Sequence, residues 1–241
     1  MDTSISISKL SKIYKKTTVL KNVDLTVARG EIFGLIGPSG SGKTTLVKLI
    51  VGIESASSGT VEVLGKQIPN LTLLENIGYM AQSDALYPEL TGKENLAFFA
   101  SLYTMKKAVL KERIAYAADL VQLTDELSKK VSAYSGGMKR RLSLAIALVH
   151  DPQILILDEP TVGIDPELRL SIWRELMLLK SEQGKTIIVT THVMDEAEKC
   201  DRIAMVREGG ILVSGTPGEL KEAYGAANLE EVFLQAGRAA R

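Results

Sequence analysis

Apolar and polar residues alternate from Ser4 to Leu10 and again from Val19 to Val27 around a Lys21-Asn22 turn, which predicts half-buried strands. Glu31 to Ile36 is a short apolar run stopped by Gly37, the mark of a buried strand. Lys43 to Gly52, apolar at 46, 47, 49, 50 and 51, predicts a buried helix, and Thr60–Leu64 and Ile77–Ala81 are further strands. From Thr91 to His150 the period lengthens. Apolar residues at 96, 98, 99, 102 and 103, then at 110, 114, 117, 120 and 121, suit two amphipathic helices, and a turn-rich break at Ser132–Gly137 precedes a third over Met138–Val149. Strand 153–158, helix 166–182, strand 186–190, helix 193–200 and strand 202–207 follow, with a hairpin turn at Gly209-Gly210. Such alternation predicts an α/β protein. Its core has a mostly parallel sheet, accompanied by an antiparallel β flank and an inserted α-helical arm. A single domain is expected over 1–241: core and flank from 1–90 and 151–215, the arm over 91–150 and a helical tail over 216–241.

Composition narrows the function classes. A chain of 241 residues, 45% apolar, buries enough surface to need no disulfide or metal staple. Its 29 basic and 29 acidic residues balance, so no global field recruits nucleic acid. One cysteine, Cys200, excludes an intrachain disulfide, and two histidines exclude a Cys/His metal cluster. The longest apolar stretches, such as Leu142–Val149, fall far short of the ~20 residues of a spanning helix. The first residues lack the apolar core of a signal peptide. A cytoplasmic protein is expected, one that docks on a membrane only through a partner.

The chemistry starts at Gly37-Pro38-Ser39-Gly40-Ser41-Gly42-Lys43-Thr44, followed by Thr45, which fits G-x-x-x-x-G-K-[ST]. Glycines let backbone N–H groups turn inward around phosphate oxygens, Lys43 reaches the β- and γ-phosphates, and the Thr44 hydroxyl can ligate Mg²⁺. A helix starting near Gly42 points its positive end at the same anion. A strand enters this loop and a helix leaves it, so a P-loop NTPase core is expected rather than a flexible linker. Ile154–Leu157 followed by Asp158 and Glu159 describes a buried strand whose carboxyl end emerges at a site. Asp158 can hold Mg²⁺ with Thr44, and Glu159 can orient or deprotonate a water. In Tyr134-Ser135-Gly136-Gly137-Met138, Ser135 is a candidate N-cap and the glycines expose backbone donors at a helix start. Lys139-Arg140-Arg141 reads as a solvated face or a local positive potential. His150 reads as a charge favoured at a helix end.

With these residues in place, the chain resembles the ATP-binding subunits of ABC transporters from about Ile5 to Gly215. The resemblance implies further roles. Tyr14 matches the aromatic residue that stacks on adenine, and Gln82 the loop glutamine that senses Mg²⁺ and the attacking water. Ser135-Gly136-Gly137 match the signature that binds the γ-phosphate held by the opposite subunit. Asp158 and Glu159 match the magnesium acid and the catalytic base. Asp165 matches the aspartate of a loop at the dimer interface, and His192 the switch histidine on the γ-phosphate. Tyr134 and Met138 stand where leucine and glutamine are usual, and Tyr-Ser-Gly-Gly-Met-Lys-Arg-Arg looks like the drug-exporter branch. The implied function is an ATPase motor, two copies of which close on two Mg-ATP and drive a transmembrane permease carried on a separate chain. The implied place is the cytoplasmic face of the membrane. The alternatives are a soluble relative working on ribosomes, DNA or cofactor assembly, and a metabolic P-loop kinase. The first lacks its tandem domain or long coiled coil here, and the second needs no Ser-Gly-Gly signature.

Overall fold

A computed structural model describes residues 2–83 and 85–239. Met1, Asp84 and the last two residues of the expected tail lie outside the described residues. The elements, in chain order, begin with β1 (Thr3–Tyr14), β2 (Thr17–Ala28), β3 (Ile32–Ile36), α1 (Lys43–Val51), β4 (Ser58–Val63), β5 (Lys66–Gln67) and β6 (Ile77–Met80). Then come α2 (Gly92–Ala100), α3 (Lys107–Leu120), α4 (Gly136–Leu148), β7 (Ile154–Asp158) and α5 (Pro166–Gln183). The chain ends with β8 (Thr186–Thr191), α6 (Met194–Ala197), β9 (Arg202–Arg207), β10 (Gly210–Gly215), α7 (Pro217–Tyr224) and α8 (Leu229–Ala239). Two compact units emerge: one holds the chain up to Leu73 and from Thr186 onward, the other Leu74–Lys185.

The first unit contains an antiparallel sheet in the order β2-β1-β4-β5. It also contains β3 flanked by β8 and β9, both parallel to it, with β10 antiparallel to β9. Every residue of β3 is buried, as a strand paired on both edges and covered on both faces requires. The α/β reading with a mostly parallel core sheet and an antiparallel flank therefore stands. Two local expectations change. The Lys21-Asn22 turn is absent; β2 runs through it, with Asn22 at φ 46° and a register shift between Leu10↔Val23 and Lys12↔Leu20. Asparagine tolerates this left-handed conformation, and Ser11 Oγ accepts its N–H at 2.9 Å, so a bulge bends the strand without ending it. The helix expected over 193–200 shrinks to Met194–Ala197. Asp201 draws the chain into β9, its N–H donating to Ile32 O (2.9 Å) while its carboxylate accepts from Ile32 N (2.8 Å). Cys200, behind it, is buried, and burial pushes its thiol up to about 12, as befits a small core residue.

The second unit pairs β6 and β7 in parallel and packs α2, α3 and α4 against one another. In α5, Trp173 is core packing with Leu168, Ile172 and Leu176. His150 departs from its expected charge. It stacks on Tyr103 with ring centroids 3.8 Å apart and lies 3.2 Å from Ile77 O, and burial lowers its pKa to about 4. It is therefore neutral at pH 7, because desolvation outweighs the favourable helix end. Tyr134 is buried too, and its hydroxyl donates to Glu126 O at 2.8 Å. A Cβ on Gly92 in α2 would stand 2.2 Å from that hydroxyl oxygen. Gly92→Ala is therefore expected to cost about 1–3 kcal/mol by overpacking, although alanine is the better helix former. In a Tyr134→Phe background the nearest atom recedes to the ring carbon at 3.2 Å, and most of that cost should vanish. Thermal unfolding of the four proteins measures the coupling; equal costs in both backgrounds would place the clash elsewhere.

Candidate active site

In the first unit β3 runs into the glycine loop and α1 begins at Lys43. Gly40 (φ 78°) and Gly42 (φ 108°) adopt left-handed conformations that side chains resist, and a Cβ on Gly37 would meet Val206 O at 2.1 Å. Gly42 is the N-cap and supplies no capping side chain, so the first amides of α1 stay available for an anion. Lys43 is buried and folds back over the loop, donating to Gly37 O (2.7 Å) and Pro38 O (3.1 Å). Ser41 Oγ is buried with no hydrogen-bond partner. A buried hydroxyl without a partner, uncapped amides and an ammonium around one loop fit a polyphosphate. Ser39 is exposed at the rim, and Thr44 and Thr45 are half-buried at the start of the helix.

Tyr14 ends β1 with its ring partly exposed. Its hydroxyl donates to the Glu54 carboxylate, and the Lys12 ammonium stands 4.7 Å from the ring centroid. Desolvation and then Glu54 raise the Tyr14 pKa, while the same hydrogen bond lowers that of Glu54. His192 follows β8 and is exposed. Its turn is tied by Thr191, whose hydroxyl donates to Glu196 at 2.7 Å and accepts from Val193 N at 3.0 Å.

In the second unit β6 and β7 run parallel and deliver Gln82 and Asp158-Glu159 at the same end. Asp158 is fully buried. Glu159 sits at φ 54°, unusual for a residue with a side chain, and its carboxylate accepts from Gln82 Nε2 at 3.2 Å. Ser135 caps α4, accepting from Met138 N at 3.2 Å, and leaves Gly136 and Gly137 at the helix start. Gln82, Glu159, Gly136, Gly137 and Arg140 share the wall of a cavity of about 330 Å³. Asp165 is the N-cap of α5, accepting from Leu168 N at 3.0 Å.

Arg140 is the residue that sequence reasoning misplaced. It is buried, not part of a solvated face: Nη1 donates to Ala81 O and Gln82 O (2.7 and 3.0 Å), and Nη2 to Asp158 O and Glu159 O. The signal was present, since Arg140 stands four and eight residues before Leu144 and Leu148 on the buried stripe of α4.

A family model described as ABC transporter matches residues 20–162. The chain is 39% identical to the Nod factor export ATP-binding protein I of Paraburkholderia xenovorans, over 96% of this chain and 77% of that protein. The chain belongs to the ABC transporter family. Among solved structures, an ATP-binding subunit of an ABC transporter superposes with a TM-score of 0.90 at 28% identity, covering 97% of this chain and 99% of that one. A dimeric ATP-binding cassette in a post-hydrolysis state with ADP and Pi superposes at 0.82, also at 28% identity, over 88% and 98%. This ABC chain is thus an ATP-binding ATPase subunit whose hydrolysis is coupled to transport. No helix among the described residues is long and apolar enough to cross a membrane.

Proposed function

We propose that this chain is the motor of an exporter, working as one ATP-binding domain in an ATP-dependent pair of copies on a separate permease at the cytoplasmic face of the membrane. The observation that carries this reading is Glu159, held at a strand end by Gln82 over a cavity that Gly136 and Gly137 of the signature helix start also line. Lys43 and the amides of the 37–42 loop hold the β- and γ-phosphates, and Tyr14 offers its ring to adenine. Glu159 takes the proton of the attacking water, with Gln82 and His192 orienting water and γ-phosphate. Ser135-Gly136-Gly137 of one copy close on the ATP held by the other, and Asp165 steadies the loop at that interface. Thr44 and Gln82 offer neutral oxygens and Asp158 a carboxylate, the hard ligands that suit Mg²⁺, which neutralises charge on the phosphates when bound. Export as the direction is supported by the name of the Nod factor relative. The balanced charge favours no nucleic-acid partner.

Docking is supported by the loop after Gln82. Tyr87 is exposed and meets Phe98 edge-on at 4.8 Å, and Phe98 is itself exposed; Leu86 is half-buried. Fully buried Asn95 clamps the Tyr87 backbone from both sides, at 2.9 and 3.0 Å. A rigid aromatic patch beside the Gln82 loop suits an apolar helix of a permease. Replacing Leu86 and Tyr87 together by serine in the native host is expected to move the chain from the membrane fraction to the soluble one while its own ATP hydrolysis persists. A double variant that aggregates or stops hydrolysing would make these side chains local core. One that is active and still sediments with membranes would place docking elsewhere.

A further inference from the structure

A full positive charge buried away from water is costly unless it is densely hydrogen-bonded, and Arg140 is buried in the first turns of α4. Its two terminal nitrogens reach four carbonyl oxygens, and those oxygens are not scattered. Two belong to Ala81 and Gln82 at the end of β6, and two to Asp158 and Glu159 at the end of β7. The planar fork of the guanidinium can bridge two strand ends in this way, whereas a lysine ammonium is a single point. One of the four oxygens belongs to Glu159, whose left-handed backbone (φ 54°) needs its surroundings to hold it. One helical turn earlier on the same face of α4 stands Gly136 of the Ser135-Gly136-Gly137 start.

We infer that Arg140 is a positioning residue for hydrolysis: it locks the backbones of Gln82 and Glu159 in mutual register and fastens both to the helix that carries the signature. A shift of α4 when its start meets a γ-phosphate is then delivered directly to the pair that handles the water. This inference rests on the roles proposed above for Glu159 and Gln82. Arg141 is the internal control. It lies next along the same helix and also donates to backbone carbonyls, those of Val121 and Gln122 at 3.3 and 3.0 Å, which lie in no catalytic motif.

The test compares Arg140→Lys, Arg140→Gln, Arg141→Gln and Glu159→Gln in the full chain. ATP KM and kcat, melting temperature and amide hydrogen exchange are measured on each. Displacements of ångström size at a reacting centre cost up to about 100-fold in rate. Arg140→Gln is expected to lose kcat by roughly that factor, and Arg140→Lys by about 10-fold, with KM unchanged in both. Exchange should quicken at 80–83 and 158–161, locally and not throughout the unit. Arg141→Gln should lose stability without losing kcat. If Arg140→Gln does not fold, Arg140→Lys carries the test alone. The inference is overturned if both Arg140 variants keep kcat while Glu159→Gln is inactive, or if Arg141→Gln, at a comparable fall in melting temperature, loses as much kcat as they do. A fully active Glu159→Gln would instead overturn the catalytic-base reading, and the positioning role with it.

Discussion

Glu159→Gln should bind ATP as tightly as the parent chain and turn it over roughly 10²–10⁴-fold more slowly, the usual worth of a positioned general base. The substitution preserves size and hydrogen-bonding capacity, so Gln82 Nε2, now 3.2 Å from the carboxylate, keeps an oxygen acceptor. It removes the negative charge and with it the ability to take a proton. The proposed phosphate site, the 37–42 loop and Lys43, is not touched by the change, so nucleotide affinity and KM should hold while kcat collapses. Pre-steady-state and steady-state hydrolysis, with binding measured separately by calorimetry, separate the two. Retained turnover would remove Glu159 from the chemistry. A parallel loss of ATP binding would make it a ligand of the nucleotide instead.

Lys43→Ala should fail in a different way. The ammonium is buried and donates at 2.7 Å to Gly37 O, so it closes the loop, and in the proposed motor it also offers charge to the phosphates. Removing one preorganised electrostatic donor from a reacting centre typically costs about 10²–10³-fold in kcat. Because the proposed contact is to phosphate, ATP and GTP should suffer alike, and affinity should fall with rate. Tyr14→Ala is the contrast. Its ring would touch only the base, and stacking platforms are worth about 1–3 kcal/mol per base, so KM for ATP should rise while kcat changes little. Equal collapse of kcat in both variants would remove Tyr14 from the base-stacking role.

The sequence carried the glycine loop and the strand-end acids openly, because each is a run of neighbouring residues whose types the chemistry dictates. Apolar periodicity likewise located β3, α1, β7 and α5 to within a residue or two. Contacts between distant segments were harder to read. Arg140 looked like one of three surface cations, and only its spacing from Leu144 and Leu148 hinted that it is buried under β6 and β7. His150 looked like a charge at a helix end, whereas Tyr103 and Ile77, far away in sequence, enclose and neutralise it. Asn22 looked like a turn because a left-handed asparagine marks turns and bulges alike, and its partner Ser11 decides between them. Glu54, which receives the Tyr14 hydroxyl, carried no sequence signal at all.

Two copies closing on shared ATP are the centre of the proposed motor, and Glu159→Gln makes that state observable by preventing the hydrolysis that would reopen it. Sedimentation velocity of this variant should show a single monomeric species without nucleotide and with ADP, and a doubled mass with saturating ATP. A monomer under saturating ATP, with ATP binding verified on the same sample, would contradict the sandwich.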